Sequence, residues 1–266
     1  MRSVPATTVR AALAVALAAA LLPGAAHAQF ATTNVQLLDG WSFHDELLGY
    51  DTRDGRMATI TLNHFSTWKY GDNFAFFDLY SGKFASGIDA TLYAEWHPRV
   101  FVNRLLGMQG NVLGVFKDFG AAFEVNQANG FYAYLAGLGG DLALPIPGVV
   151  GLNVYYRHDS VQVPTPGGVL LIRHDTWQVS PFWTVRFGIG NVPFVLAGFV
   201  DVFGTNDGKT VDVMAQPQLL VDVLAPLGGP KGTLHAGVEW YLHHYQLGTA
   251  NQLVSAPQAL VQWTLH

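Results

Sequence analysis

Aromatic and ionisable side chains recur at every second position in several segments, with apolar side chains between them. Tyr93, Glu95 and Arg99 follow this spacing, and so do Glu239 and Tyr241. Side chains two residues apart in a strand point to the same side, so each segment would present ring faces together with charged groups. Rings can stack on a flat ligand and charged groups can hydrogen bond to it, which is the chemistry of binding a small solute.

The elements that must position these side chains are long β-strands with two different faces. Apolar and polar residues alternate in five segments, and such alternation predicts strands. The segments are 88–100, 150–157, 177–187, 211–222 and 234–245. Strands of this length exceed the usual five or six residues. Tryptophans lie at the ends of the apolar faces, as interfacial girdles require, at Trp41, Trp68, Trp96, Trp177, Trp240 and Trp263. The pattern favours an outer-membrane barrel, and a periplasmic sandwich or lipocalin-like protein is the alternative.

Composition excludes several other classes. The 266 residues are 50% hydrophobic and 13% aromatic, which excludes a disordered chain. Cysteine is absent, so thiolate chemistry and disulfides are excluded. A formal net charge of -5 offers no basic surface, so a nucleic-acid polymer is not an expected partner. After residue 29 the longest apolar run, 192–200, contains Pro193 and Gly198 and is too short for a membrane-spanning helix.

The first 28 residues predict a cleaved secretory signal peptide. Arg2 and Arg10 precede an apolar stretch at 11–22, and small residues flank His27. The apolar stretch is shorter than the roughly 20 residues that a spanning anchor helix needs. We therefore expect residues 29–266 to form a single transmembrane β-barrel domain.

Segmentation of that domain predicts twelve antiparallel strands, an even number, as bacterial barrels require. The predicted strands are 34–47, 56–68, 73–80, 88–100, 112–126, 131–144, 149–158, 176–189, 193–203, 210–224, 233–245 and 255–265. Tight turns are expected at 71–72, 145–148 and 190–192, and longer connections at 48–55, 160–175 and 246–254. Short turns belong to the periplasmic rim, so both termini should lie there.

Several stretches resemble the nucleoside-specific outer-membrane channels of the Tsx type. They are 34–46 with Gly40 and His44, the aromatic-rich 62–80, 95–99, 114–118, 152–155 and 237–241. The resemblance spans most of the domain. It implies a monomeric twelve-stranded barrel of a Gram-negative outer membrane, surrounded by lipid, with a narrow lumen and no cofactor, which takes up nucleosides or similar small solutes.

A pore selective for a nucleoside needs ring faces for the base and polar groups for the sugar, held weakly enough to permit exit. The predicted inward faces supply both kinds of group. The candidate solute-binding residues are Phe74, Phe76, Asp78, Tyr93, Glu95, Arg99, Tyr155, Arg157, Phe182, Arg186, Glu239 and Tyr241. Further polar candidates are Asp118, Glu124 and Asp201.

Enzymatic alternatives have weaker sequence support, and we expect no catalytic residue. A barrel phospholipase would need Ser, His and an amide or acid together, but in the stretch 63–66 Asn63 should face away from His64 and Ser66. An omptin-type protease would need an Asp-His pair and a second, acidic pair near the outer rim, where 158–159 and 174–175 lie. Adjacent residues in a strand point apart, so these dipeptides are interpreted as loop residues. No metal-ligand set is evident, and the glycines at 137–140 do not precede a helix, as a phosphate loop would. A plugged phage receptor is a further alternative.

Overall fold

A computed structural model describes residues 29–46, 49–165, 168–205, 210–247 and 250–265. The strands are β1 (Phe30–Gly40), β2 (His44–Asp45), β3 (Tyr50–Trp68), β4 (Gly71–Phe84), β5 (Ala90–Phe101), β6 (Phe116–Ala128), β7 (Phe131–Leu142), β8 (Gly148–Thr165), β9 (Gly168–Ile189), β10 (Val192–Gly204), β11 (Val211–Ala215), β12 (Gln218–Asp222), β13 (Leu234–Leu247) and β14 (Ala250–Leu265). One short helix, α1, covers Val102–Leu105, and a 3-10 turn covers Ala225–Leu227. The predicted signal peptide lies outside the described residues.

The wall of the molecule is a closed antiparallel barrel. Neighbouring wall strands pair in sequence order, and β1 pairs with both β3 and β14, which closes the ring. β11 and β12 are two parts of one wall strand, since both pair with β10 and β13 on either side of residues 216–217. β2 pairs with the start of β3 and is not part of the ring. The wall therefore has twelve strands, and the predicted fold class is confirmed.

The outer face of the wall is apolar over its whole circumference. Most wall strands contribute large, exposed apolar side chains to this face, among them Leu37, Ile60, Leu92, Leu138, Val154, Leu219, Val238 and Val261. Charged residues of the same strands, such as Glu124 and Arg157, are buried on the inner face. A closed barrel leaves no sheet edge unpaired in lipid, and an apolar band around a polar interior is the form of outer-membrane barrels. The chain is thus an outer-membrane barrel. Among the described residues no helix is both long enough and apolar enough to cross a bilayer.

The barrel has two rims, which we name by the chain ends. The terminal rim carries the ends of β1 and β14, where Thr33 pairs with Leu265, together with the turns at 69–70 and 190–191. The distal rim is the opposite one and carries residues 41–46 together with the connections 85–89 and 129–130.

The expected division into short turns on one rim and long connections on the other is wrong. The segment 102–115, with α1, is a long connection, yet it lies on the terminal rim beside the tight turns. Residues 112–115, expected in a strand, belong to this connection, where Gly107, Gly110 and Gly114 adopt positive φ angles that end extended structure. The first tight turn occupies 69–70, and residues 71–72 already belong to β4.

The three segments expected as long loops are largely strand. β8 extends to Thr165 and β9 begins at Gly168, because cross-strand pairs such as Val161 with Ile172 continue the ladder beyond the expected ends. β13 ends at Leu247, β14 begins at Ala250, and β3 begins at Tyr50. The polar residues of these segments suggested loops, although they lie in paired strands of the distal half.

Candidate functional site

All twelve candidate residues lie on the inner face of the barrel. The register of the strands shows this, because two residues that pair across neighbouring strands point to the same face of the sheet. Between β4 and β5, Phe74 pairs with His97, Phe76 with Glu95, and Asp78 with Tyr93. On the opposite side, Arg157 and Tyr155 face inward on β8, Phe182 and Arg186 on β9, and Glu239 and Tyr241 on β13. Six of the twelve side chains are buried and four are half-buried, which means that the lumen is narrow. Arg186 is exposed near the terminal rim.

An aromatic strip follows β4 and β5 along the lumen. It consists of Phe74, Phe76 and Tyr93, with ring centres 5.9 Å apart between Phe74 and Phe76 and 5.9 Å apart between Phe76 and Tyr93. The imidazole of His97 adjoins it, 5.6 Å from Phe74. Phe74 is 36% exposed, so part of its ring faces the open lumen. The strip can therefore offer ring surface to a passing flat solute.

Ionisable groups border the aromatic strip. Asp78 accepts hydrogen bonds from Thr61 at 2.5 Å and from Tyr80 at 2.8 Å. The hydroxyl of Tyr93 donates to Glu95, whose other oxygen lies 2.7 Å from His97 Nε2. These contacts hold carboxylates next to ring faces, the combination that the sequence predicted.

An arginine clamp, made of Arg99, Asp72 and Asp141, joins three wall strands near the terminal rim. Arg99 donates to Asp72 through Nε at 2.9 Å and Nη2 at 2.6 Å, and to Asp141 through Nη1 at 2.8 Å. Its guanidinium carbon lies 5.0 Å from the ring centres of both Phe101 and Phe182. Bidentate, stacked contacts of this kind fix an arginine in place, so Arg99 holds these wall strands together.

The helix α1 adds a second arginine at the same rim. Arg104 donates to Asp118 at 2.9 Å and 2.7 Å, and Asn103 donates to Asp118 at 3.0 Å. The hydrogen bonds to Asp118 raise the pKa of Arg104 further above its usual value. The guanidinium thus stays charged, and the long connection is held against β6.

A distal latch lies at the other end of the lumen. It consists of Asp45, Tyr241, His243 and Asp212. Asp45 accepts hydrogen bonds from Tyr241 at 2.6 Å and from His243 Nδ1 at 2.6 Å, and His243 Nε2 lies 2.7 Å from Asp212. Phe43 precedes it and is fully buried among inward side chains such as Met57, Phe84 and Tyr241. The connection between β1 and β3 therefore folds into the barrel.

Two further candidates, Arg157 and Glu239, make polar contacts across the wall. Arg157 donates to Asp159 at 3.0 Å and to Gln178 at 2.6 Å, and it lies 4.4 Å from the ring centre of Phe203. Glu239 accepts hydrogen bonds from Gln218 at 2.5 Å and Gln258 at 2.6 Å. Both side chains thus have hydrogen-bond partners within the protein.

Several inward groups were not among the binding candidates that the sequence predicted, or their contacts were not predicted. His97 stands two residues after Glu95 in one strand, a signal that was present, and the structure adds Glu124 from β6, so that three possible metal ligands meet. This set was not evident from the sequence, because Glu124 joins it only through the register of β6 with β5. The contacts of Asp45, His243 and Asp72 were also missed, because the partners of these residues are distant in sequence and depend on register.

Residues considered for hydrolysis are separated by the pleat or paired in other ways. Asn63 faces inward, where it donates to Asn34 at 3.1 Å, and His64 is on the other face, 2.9 Å from Thr33. The two His-Asp dipeptides lie in strands β8 and β9, so the loop assignment is wrong. His158 contacts Asp175 at 2.6 Å and His174 contacts Asp159 at 3.7 Å. Each contact is a single cross-strand pair.

The sequence matches no protein-family model and no curated protein. Solved structures with a similar shape include the NanC porin, with 9% identity and a TM-score of 0.48 over 86% of this chain and 98% of that chain. The beta domain of the Bordetella autotransporter BrkA has 6% identity and a TM-score of 0.39 over 88% and 98% of the two chains. The Pseudomonas aeruginosa outer-membrane protein OpdK has 10% identity and a TM-score of 0.30 over 90% and 99%.

Identities and TM-scores this low establish no family for this chain, so the evidence for its fold and function is its own geometry. Membership in the Tsx type of nucleoside channel stays a prediction.

Proposed function

We propose that this barrel is an outer-membrane channel through which small solutes, nucleosides in the first place, diffuse down their gradient. The observation that carries the proposal is the aromatic strip of Phe74, Phe76 and Tyr93, with carboxylates beside it, on the inner face of the wall. Bases stack on aromatic side chains, and stacking tolerates differences between bases. The adjacent Asp78 and Glu95 supply acceptors for sugar hydroxyls.

The narrow lumen supports passage of single small molecules. Inward residues such as Tyr155, Glu239 and Tyr241 are almost fully buried, and Phe43 narrows the distal end further. A conducting site must bind its solute weakly enough to release it. Partial exposure of Phe74 fits such weak contact.

The remaining assignments belong to the same proposal. The terminal rim faces the periplasm, the distal rim faces the outside, and the chain acts as a monomer because its ring closes on itself. Outer-membrane lipid surrounds the apolar band, and no cofactor takes part in diffusion.

Single-channel recording in planar bilayers tests the proposal. We expect small conductance steps that adenosine or thymidine reduces and glucose does not. Phe76→Leu removes a ring face from the strip. Because stacking on one side chain is worth about 1–3 kcal/mol, this variant should weaken the nucleoside block by about 5- to 150-fold.

Phe123→Leu is the matched control, since the same change falls on the outward face, where Phe123 is exposed. It should leave the block as in the unmodified protein. Steps that neither nucleoside affects would show that the solute belongs to another class, and hydrolysis of phospholipid or peptide without any steps would support an enzyme instead.

A further inference from the structure

A carboxylate-imidazole cluster, made of Glu95, His97 and Glu124, lies in the lumen wall. His97 Nε2 is 2.7 Å from Glu95 Oε2, and His97 Nδ1 is 3.4 Å from Glu124 Oε2. One ligand atom from each residue lies within 4.8 Å of the other two. Glu95 and His97 share the inward face of β5, and Glu124 stands on the neighbouring strand β6. Wall strands, rather than loops, thus hold the three groups.

Buried polar atoms in and near the cluster lack partners. Glu124 is 2% exposed, and its Oε1 has no hydrogen-bond partner among the described residues. The hydroxyl of Tyr155, on the inner face of β8, is also 2% exposed and has none either. A buried polar group without a partner destabilises the protein, because it has lost its hydrogen bonds to water. Such atoms point to a ligand that would satisfy them.

The local charge favours a cation. Two carboxylates, Glu95 and Glu124, flank one imidazole. Of the inward arginines, Arg99 belongs to the clamp and Arg157 pairs with Asp159. The excess negative charge is buried, where attraction for a cation is less screened than in water.

We propose that Glu95, His97 and Glu124 bind a divalent cation of the zinc type. Zinc binds imidazole nitrogen and carboxylate oxygen, and many of its sites have three protein ligands with a further position open to solvent. Harder cations such as magnesium prefer oxygen ligands alone. The site would place a bound cation beside the aromatic strip, at mid-lumen.

Isothermal titration of the full barrel in detergent, stripped with a chelator and titrated with zinc chloride, tests this proposal. We expect one zinc ion per chain. His97→Gln and Glu124→Gln should each weaken binding by at least about tenfold, because loss of even an indirect partner of a metal ligand typically costs 10–100-fold. Titration with cobalt(II) should give visible absorption bands that His97→Gln abolishes.

Glu239→Gln is the matched control, because it is the same chemical change in the lumen on a carboxylate held by Gln218 and Gln258. It should bind zinc as tightly as the unmodified protein. Circular dichroism confirms that each variant keeps its β content. Absence of stoichiometric binding by the unmodified barrel, or equal affinity in all four proteins, would overturn the proposal and leave an imidazole that only bridges two carboxylates. Because zinc is the probe and binding is the readout, the result does not depend on which solute passes.

Discussion

The arginine clamp and the distal latch both bury charged groups in the lumen, but they connect different parts of the molecule. Every member of the clamp belongs to a strand of the ring, on β4, β5 or β7. In the latch, Asp45 comes from β2, which is off the ring. Its partners Tyr241 and His243 come from β13, and Asp212 of β11 contacts His243. The clamp therefore holds the wall together, whereas the latch holds a separate segment inside it.

The clamp should therefore determine the stability of the wall, and the latch should determine the access of solutes to the lumen. Removal of a clamp member should harm the wall itself. Removal of the latch carboxylate should leave the ring intact and free the segment that carries Phe43. Three substitutions test this difference, and each is measured by urea unfolding in lipid vesicles, with single-channel conductance as the second readout.

Arg99→Met should have the largest effect. It leaves Asp72 and Asp141 buried without their cation, and loss of one partner from a buried ion pair costs about 3–5 kcal/mol. The free energy of unfolding should fall by that amount. A loss no larger than that caused by the latch variant would contradict the distinction between the two regions.

Asp45→Ala should have a smaller effect on stability and a visible effect on conductance. Tyr241 and His243 lose a shared acceptor, which costs about 1–3 kcal/mol, and larger conductance steps are expected because Phe43 is no longer held in the lumen. Asp51→Ala is the control, since that carboxylate contacts the exposed His44 at 3.1 Å. Unchanged steps in Asp45→Ala would show that the latch does not restrict the pore.

Arg56→Met should change almost nothing. Arg56 pairs with Asp39 at 2.5 Å, yet both side chains are 50% exposed, and exposed ion pairs contribute about 0–1 kcal/mol. A loss comparable to that of Arg99→Met would show that the number of ion pairs, rather than their burial, decides the stability of the wall.

Alternation in the sequence was enough to predict the faces of the wall. In β5 and β13 the two-residue period is regular, so Glu95, Arg99, Glu239 and Tyr241 could be assigned to the inner face, where the structure places them. The period is a local property and requires no knowledge of neighbouring strands.

Contacts between distant segments could not be predicted in this way. Arg99 meets Asp72 and Asp141 across 27 and 42 residues, and only the register between strands brings them together. The inward fold of Phe43 and Asp45 depends on a connection with no periodicity. Strand ends were misplaced at 160–175, because the prolines and glycines at 164–168 are typical of a loop until the partner strand is known.

Closure of the ring through β1 and β14 also constrains how the protein is made. β1 is synthesised early and β14 late, yet the two form one ladder from Thr33 with Leu265 to Gly40 with Gln258. Until β14 emerges, one edge of β1 has no partner, and open edges recruit other chains into aggregates. Contacts between such distant segments also slow folding. The nascent polypeptide should therefore need protection from aggregation throughout its export, and a chain truncated before β14 should be degraded or precipitate rather than insert.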